Sequence, residues 1–458
     1  MDNRRTMGRR GFLRTAAALG AGMTMANAMT ARAYRRIMGA NERVNVAIIG
    51  AGGHGGRNLG VVAGRMDPGY GAYAERVTGA HIAALCDVDL RAEGPRNPPP
   101  AVAFAEYEDA AKYHDYRKML EEMEVDIDAV VVSTPNHSHA PASVMAMRMS
   151  KHVYCEKPGA HSVFEARVMA ETASQQGVAT QLGTQVHASE NFRRIVELVR
   201  AGAIGDVSAF HIWHRSGSPA RDRPTDRPPV PEDLHWDLWL GPAPRRPYHP
   251  DYIPTRWHRW WDFGGGSQLG NMGCHFMDLP FWALDLRHPS TIEAEGPEPH
   301  PETAPGALHV RYAFERSGGG APITLTWTHG DNAPTVFAEN DLPGWAWGVF
   351  VGSEGMLLAN YERHELLPEE KFADYQRPEP GIPPSVGHQQ EWINACRGEG
   401  GTLCHFGYSM RITETVLLGN VAHRSGRKLE WNAERFAIEN DHTAEGFLQR
   451  GYRPGWTL

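Results

Sequence analysis

The sequence predicts an α/β protein: an N-terminal doubly wound parallel sheet followed by a C-terminal α+β domain with a large, mostly antiparallel sheet. Three observations predict it. From Val44 to Cys155, short β-branched runs alternate with helical stretches. A glycine-rich turn follows the first run directly. After about Gln181 the alternation stops and separate strands take over.

Val44–Ile49 is a compact β-branched strand, and Gly50–Gly55 is a turn that should open a helix. A second strand covers His81–Asp87, Lys112–Met123 reads as a helix, and Ile127–Ser133 is apolar enough to be buried on both faces. Ala140–Met149 reads as a helix and His152–Cys155 as a further strand. Two insertions interrupt the rhythm. Gly64–Gly79 lengthens the first crossover, and Gly94–Pro100, rich in proline, reads as a surface loop. Val207–His214 opens the second domain, and Arg221–Pro231 is a loop. A tryptophan-rich stretch (Trp236, Trp239, Trp257, Trp260, Trp261) comes next, and strands such as Ile323–His329 follow.

The 458 residues suit two to three domains, and 41% hydrophobic with 22% charged residues is ordinary for a packed core. The formal charge of -8 argues against nucleic acid as a partner. Five scattered cysteines contain no C-x-x-C pair, so neither a disulfide framework nor a zinc site is expected. No run reaches the roughly 18 apolar residues of a membrane span. Residues 1–33 read as a twin-arginine export signal. Arg9-Arg10-Gly11-Phe12-Leu13 precedes a short apolar run, Thr15 to Ala28, and Ala31-Arg32-Ala33 offers a cleavage point. A periplasmic or otherwise extracytoplasmic location is the expectation. The folded units then run over 42–183, a dinucleotide-binding domain, and 184–458, a substrate and oligomerisation domain.

Gly50-x-Gly52-x-x-Gly55 lies between a strand and a helix start. The first glycine permits the tight turn, the second lets backbone approach a pyrophosphate, and the third lets helix and strand pack closely. The helix start adds amide donors. Gly50, Gly52, Gly53, His54 and Gly55 are therefore candidate contacts of a dinucleotide on a Rossmann unit. Asp87 ends the second strand, where a carboxylate can hold the ribose hydroxyls of NAD or simply face solvent. Arg91 lies close by, so NADP stays open.

Cys155-Glu156-Lys157-Pro158 ends a parallel strand, where open α/β sheets place ligands. Pro158 restricts Lys157 to extended geometry. A lysine held there could polarise a substrate oxygen. Taken alone, a strand-end lysine is more often simply solvated.

Together the glycine turn, Cys86-Asp87-Val88-Asp89, Ser133-Thr134-Pro135-Asn136-His137-Ser138-His139 and Glu156-Lys157-Pro158 resemble the Gfo/Idh/MocA oxidoreductases. Trp236–Pro242 and Gly264–Asp278 resemble that family's exported, sugar-directed members. The resemblance implies that Lys157 is the catalytic lysine. It places Glu156 and Pro158 along the nicotinamide, Thr134, Pro135, Asn136 and His139 at the cofactor's border, and Gln185 near cofactor and substrate. It also implies a homo-oligomer. The family's later motif, Asp-x-Gly-x-His, reads here Asn271-Met272-Gly273-Cys274-His275. His275 fits a general acid/base role because imidazole titrates near neutrality; a core histidine is the bland alternative. Four-residue spacing puts Asn271 on the same helix face. An amide accepts no proton, so Asn271 would orient groups rather than relay charge.

Arg256, Trp257, His258 and Arg259 interleave charge and aromatics, which suits either a carbohydrate pocket or packing. His137 and His139 have metal-pair spacing, but their strand-end context favours cofactor contacts over metal. The leading expectation is an NAD-dependent oxidoreductase acting on a sugar, cyclitol or glycoside. Alternatives are an NAD-dependent glycoside hydrolase that oxidises its sugar transiently, and a non-catalytic sensor.

Overall fold

A computed structural model describes residues 43–65, 76–91, 96–254, 256–316 and 318–458. Residues 1–33, read from the sequence as an export signal, and most of the Gly64–Gly79 insertion lie outside them.

Six strands form the first sheet: β1 (Val44–Ile49), β2 (Ala80–Cys86), β3 (Ala111–Tyr113), β4 (Ala129–Val132), β5 (His152–Cys155) and β6 (Thr180–Leu182). All pair in parallel, in the order β3-β2-β1-β4-β5-β6. Every residue of β4 is buried, as a parallel strand covered by helices on both faces requires. After β1 the chain builds outward on one side, and from β4 it builds on the other. The crevice at that switch point, above the carboxyl ends of β1 and β4, is where such sheets take ligands.

The second sheet has nine strands. These are β7 (Val207–His214), β8 (Thr291–Glu295), β9 (Leu308–Phe314), β10 (Ile323–His329), β11 (Gly348–Gly352), β12 (Met356–Ala359), β13 (His364–Leu367), β14 (Leu429–Asn432) and β15 (Ala437–Ile438). Their order is β13-β12-β11-β7-β10-β9-β8-β14-β15, antiparallel except for the β7–β10 pair. β9 shows the one-sided pattern of such a sheet. Leu308, Val310, Tyr312 and Phe314 are buried, and the residues between them are not. Helices Ser267–Leu284 and Phe406–Ser425 pack on each other, and the latter also packs on β8 and on helix Val163–Gln176 of the first domain. One continuous hydrophobic core joins the two domains.

Two local expectations change. Lys112 and Tyr113 belong to β3, and the helix begins only at Tyr116, where the Asp115 side chain accepts the Arg117 amide. The end of Gly94–Pro100 is no detached surface loop. The Pro98 carbonyl accepts the Gly53 amide at 2.8 Å, and Pro100 starts a helix to Glu106.

The tryptophan-rich stretch forms its own aromatic cluster. Trp236 stacks on Trp239 with centroids 4.7 Å apart, and Tyr248, Tyr252, Trp260 and Phe263 complete it. This cluster is stitched across the domains: the His235 amide donates to Val88 O at 2.8 Å, and the Leu90 amide donates to Asp233 O at 2.9 Å. Packing is therefore the main role of Trp236 and Trp260. The stitch brings their neighbours Leu238, Trp239, Trp257 and His258 over the switch-point crevice.

Candidate active site

A cleft of about 430 Å³ runs along the carboxyl ends of β1, β2, β4 and β5, in the size range of small-molecule sites. Its floor is the glycine turn. Gly50 has φ +88°, and a Cβ there would stand 2.5 Å from Ser133 O; at Gly55 it would stand 1.8 Å from Gly50 O. Only glycine fits either position. The helix His54–Val62 starts directly after this turn. Backbone amides, a helix start and side-chain-free floor together fit the pyrophosphate of a dinucleotide. Thr134, Pro135, Asn136, His139, Glu156 and Lys157 line the same cleft. Buried polar atoms without protein partners remain there: Asn136 Nδ2, His139 Nδ1 and Glu156 Oε2. A polar ligand is what such atoms ask for.

One carboxylate organises the inner end. Glu156 Oε1 accepts from Asn58 Nδ2 at 2.8 Å and Gln185 Nε2 at 3.0 Å, and His54 Nε2 lies 3.0 Å away. His54 and Asn58 stand one turn apart on one helix face, which is why both reach it. Burial would raise this carboxyl, but the His54 ring, the Asn58 amide and the Lys157 charge override it and hold it below the usual carboxylate range. Asn58 was not anticipated; its four-residue spacing from His54 was the available signal. Gln185 does not line the cleft. It is buried, and its amide also donates to Tyr154 OH at 2.9 Å, so it positions Glu156.

Lys157 comes off the end of β5 and crosses to the second domain. Its Nζ donates to both oxygens of Asn271, the carbonyl O at 2.7 Å and Oδ1 at 2.8 Å. Asn271 therefore orients the lysine. His275 follows one turn later on the same helix, with Nδ1 buried and unpartnered. Burial first, and then the Lys157 charge, lower His275 to about 3, away from the near-neutral titration that the sequence led us to expect of this imidazole. Burial also lowers Lys157 from its ordinary value, and Glu156 opposes that shift. The pair is thus a lysine leaning on neutral oxygens beside a neutral imidazole.

Trp257 and His258 close the cleft from the aromatic segment. The sequence shows His258 only as one of the residues interleaved with the tryptophans, with no sign that it reaches the cleft. Burial and the Lys157 charge lower it to about 3, so it too is neutral. Arg256 points elsewhere: it is exposed and bonded to Asp251, outside the cleft. His139 Nε2 donates to Thr134 O at 2.7 Å, leaving Nδ1 as an acceptor toward the cleft. His137 bonds the carbonyls of Trp239 and Phe263 and serves the interdomain stitch.

At the outer end, Asp87 accepts the Ala51 amide at 2.8 Å and also meets Arg96, which nothing in the sequence of the proline-rich loop marks as a site residue. Arg91 pairs with Asp89 instead.

Residues 44–184 match the profile described as "Oxidoreductase family, NAD-binding Rossmann fold". Residues 210–341 match "Oxidoreductase family, C-terminal alpha/beta domain". Inositol 2-dehydrogenase of Rubrobacter xylanophilus is 30% identical over 183 residues, which is 39% of this chain and 46% of that protein. A "Glycosyl hydrolase family 109 protein" of Saccharopolyspora erythraea is 32% identical over 216 residues, 43% of this chain and 44% of that protein. The chain thus spans about half the length of these curated relatives. Among solved structures, the WlbA dehydrogenase of Bordetella pertussis, in complex with NADH and UDP-GlcNAcA, has a TM-score of 0.57 at 14% identity. That likeness covers 85% of this chain and 99% of that one, and at such identity it shows the fold alone. The two profiles together cover more than half of the chain, which belongs to the Gfo/Idh/MocA family of NAD-binding oxidoreductases.

Proposed function

We propose that this protein oxidises or reduces a hydroxyl-bearing carbon of a sugar, cyclitol or glycoside. One observation carries the reading: Lys157, at the lip of the dinucleotide cleft, is held at Asn271 one helical turn from a neutral, unpartnered His275. A bound nicotinamide supplies the hydride acceptor or donor. The Lys157 ammonium polarises the substrate oxygen. His275, neutral at pH 7, takes the hydroxyl proton in the oxidative direction and returns it in the reductive one. Glu156 keeps the lysine charged against the pull of burial. Asn271 holds the ammonium without forming an ion pair, so its positive charge stays available to the substrate. The aromatic cover of Trp239, Trp257 and His258 limits water around the reacting carbon.

The test is absorbance of reduced nicotinamide when purified protein meets a panel of sugars, cyclitols and glycosides with NAD and with NADP. Silence across the panel, with dinucleotide bound, would refute the dehydrogenase reading. The stitched cover over the cleft also favours the second reading, a glycoside hydrolase with retained cofactor. Cleavage of a chromogenic glycoside without added cofactor, abolished by borohydride and restored by NAD, separates the two. Export belongs to the same proposal. The twin-arginine pattern in residues 1–33 supports it, and the N-terminal mass of protein recovered from the periplasm tests it. A homo-oligomer through the nine-stranded sheet is tested by light scattering.

A further inference from the structure

We infer that His187, Asp278 and Cys404 form a structural zinc site that ties the two domains together behind the reacting end of the cleft. Among the described residues, this is the one group of three histidine, cysteine or carboxylate side chains whose donor atoms all lie within 4.8 Å of one another. The three come from separate stretches of chain: the short helical turn Gln185–Ala188 after β6, the helix Ser267–Leu284, and the loop that leads into helix Phe406–Ser425. No C-x-x-C spacing announces them, because only the fold brings them together. All three are buried, at 3% exposure or less, so this is an enclosed cluster rather than a patch of solvated acids.

Imidazole, carboxylate and thiolate are donor types that zinc takes, and the two anions match the charge of one divalent cation. Each candidate ligand is already held by a further group, as ligands in metal sites are. Asp278 Oδ1 accepts the Tyr408 hydroxyl at 2.8 Å. Cys404 Sγ accepts the Thr184 hydroxyl at 3.2 Å, a bond that favours a thiolate. The His187 ring stacks on Trp282 with centroids 3.9 Å apart. Without a cation the cluster is poorly compensated. His187 Nδ1 lies 2.8 Å from Asp278 Oδ2, but its Nε2 is buried with no partner. Burial, and then the Asp278 charge, push the Cys404 thiol well up. A dication reverses that shift by holding the thiolate, and its binding releases the thiol proton. Donors on a tetrahedral zinc stand roughly 3.3–3.8 Å apart, so the His187–Asp278 pair opens by about half an ångström as Cys404 closes in. The fourth position falls to the Tyr408 hydroxyl or a water. Asp278 lies one helical turn beyond His275, and His187 two residues beyond Gln185, so the metal fixes the supports of the reacting end.

The experiment expresses the full chain with zinc supplied, dialyses it without chelator and measures bound metal by mass spectrometry. The wild type should keep about one zinc per chain, and Cys404→Ser and Asp278→Asn should keep less than about a tenth of that. Cys396→Ser, which removes a buried cysteine elsewhere, should keep the metal. Zinc-stripped wild type given cobalt(II) should develop a thiolate-to-cobalt charge-transfer band that Cys404→Ser lacks. A chelator should lower the thermal midpoint of the wild type and leave that of Cys404→Ser where it is. A wild type that takes up neither zinc nor cobalt would overturn the inference and leave His187 and Asp278 as a plain buried ion pair. So would a cobalt band that survives Cys404→Ser. The readouts are metal content, absorbance and melting, so the outcome is separate from that of the oxidoreductase reading.

Discussion

The two ends of the cleft handle charge in opposite ways. At the adenosine end, Asp87 and Asp89 are locked to Arg96 and Arg91 in ion pairs of 2.6 and 2.7 Å. At the nicotinamide end, Lys157 rests on the neutral oxygens of Asn271, while Glu156 takes the amides of Asn58 and Gln185 together with the His54 ring at 3.0 Å. An ion pair fixes geometry and cancels field. A charge held by neutral dipoles keeps its field for whatever binds next to it. The contrast separates a recognition end from a reacting end, and four changes should break or sharpen it.

The largest effect belongs to Lys157→Ala. Turnover should fall by about a thousandfold, while NAD affinity stays within about threefold, because the charge acts on the reacting oxygen. Steady-state kinetics beside calorimetry checks it, and an equal loss of binding would mean the lysine only holds cofactor. Next is Gly55→Val, which places a branched side chain where even a Cβ would meet Gly50 O at 1.8 Å. It should lower stability by roughly 1–3 kcal/mol or more and abolish dinucleotide binding, as read by thermal unfolding with and without NAD.

Asn271→Asp tests the contrast directly. It converts the lysine's neutral seat into an ion pair. Burial now lowers Lys157, so activity that needs its charge should fall on the alkaline side below the ordinary lysine value. A carboxylate at 271 should move that alkaline limb upward and reduce the plateau rate. An unchanged pH–rate profile would separate Asn271 from the lysine's chemistry.

The smallest effect is on stability. Burial lowers His137, His258 and His275 to about 3 and His139 to about 4. Their folded values lie below the unfolded one near 6.5, so the unfolded chain binds protons first as pH falls. Stability should be level above about pH 6.5 and decline below it, toward pH 3–4, by at most about 1.4 kcal/mol per pH unit for each such histidine. Denaturant melts at pH 7.5 and pH 5 measure the decline. His137→Gln, in the interdomain stitch, should make it shallower, though the variant itself is less stable.

The candidate site residues that lie close along the chain are legible in the sequence. The glycine turn, the β5-end Lys157 and the four-residue step from Asn271 to His275 are each local, and local spacing fixes which side chains share a face. What was not legible depended on distant segments meeting. Arg91 and Arg96 both follow β2 within ten residues of Asp87, and nothing in their spacing says which one would clamp it. In the fold the Pro98 carbonyl accepts the Gly53 amide, and it is Arg96 that meets Asp87. Arg256 and Trp257 are adjacent, yet one faces Asp251 in solvent and the other faces the cleft.

By itself the sequence determined the strand rhythm, the glycine floor and the chemical types at the reacting end, because each follows from backbone sterics and short-range periodicity. Only the tertiary structure decided that Lys157 would rest on Asn271, 114 positions away, and that Asp87 would be occupied by Arg96. Those pairings depend on how two domains and one inserted loop pack around a shared cleft, and long-range packing leaves no periodic trace in the chain.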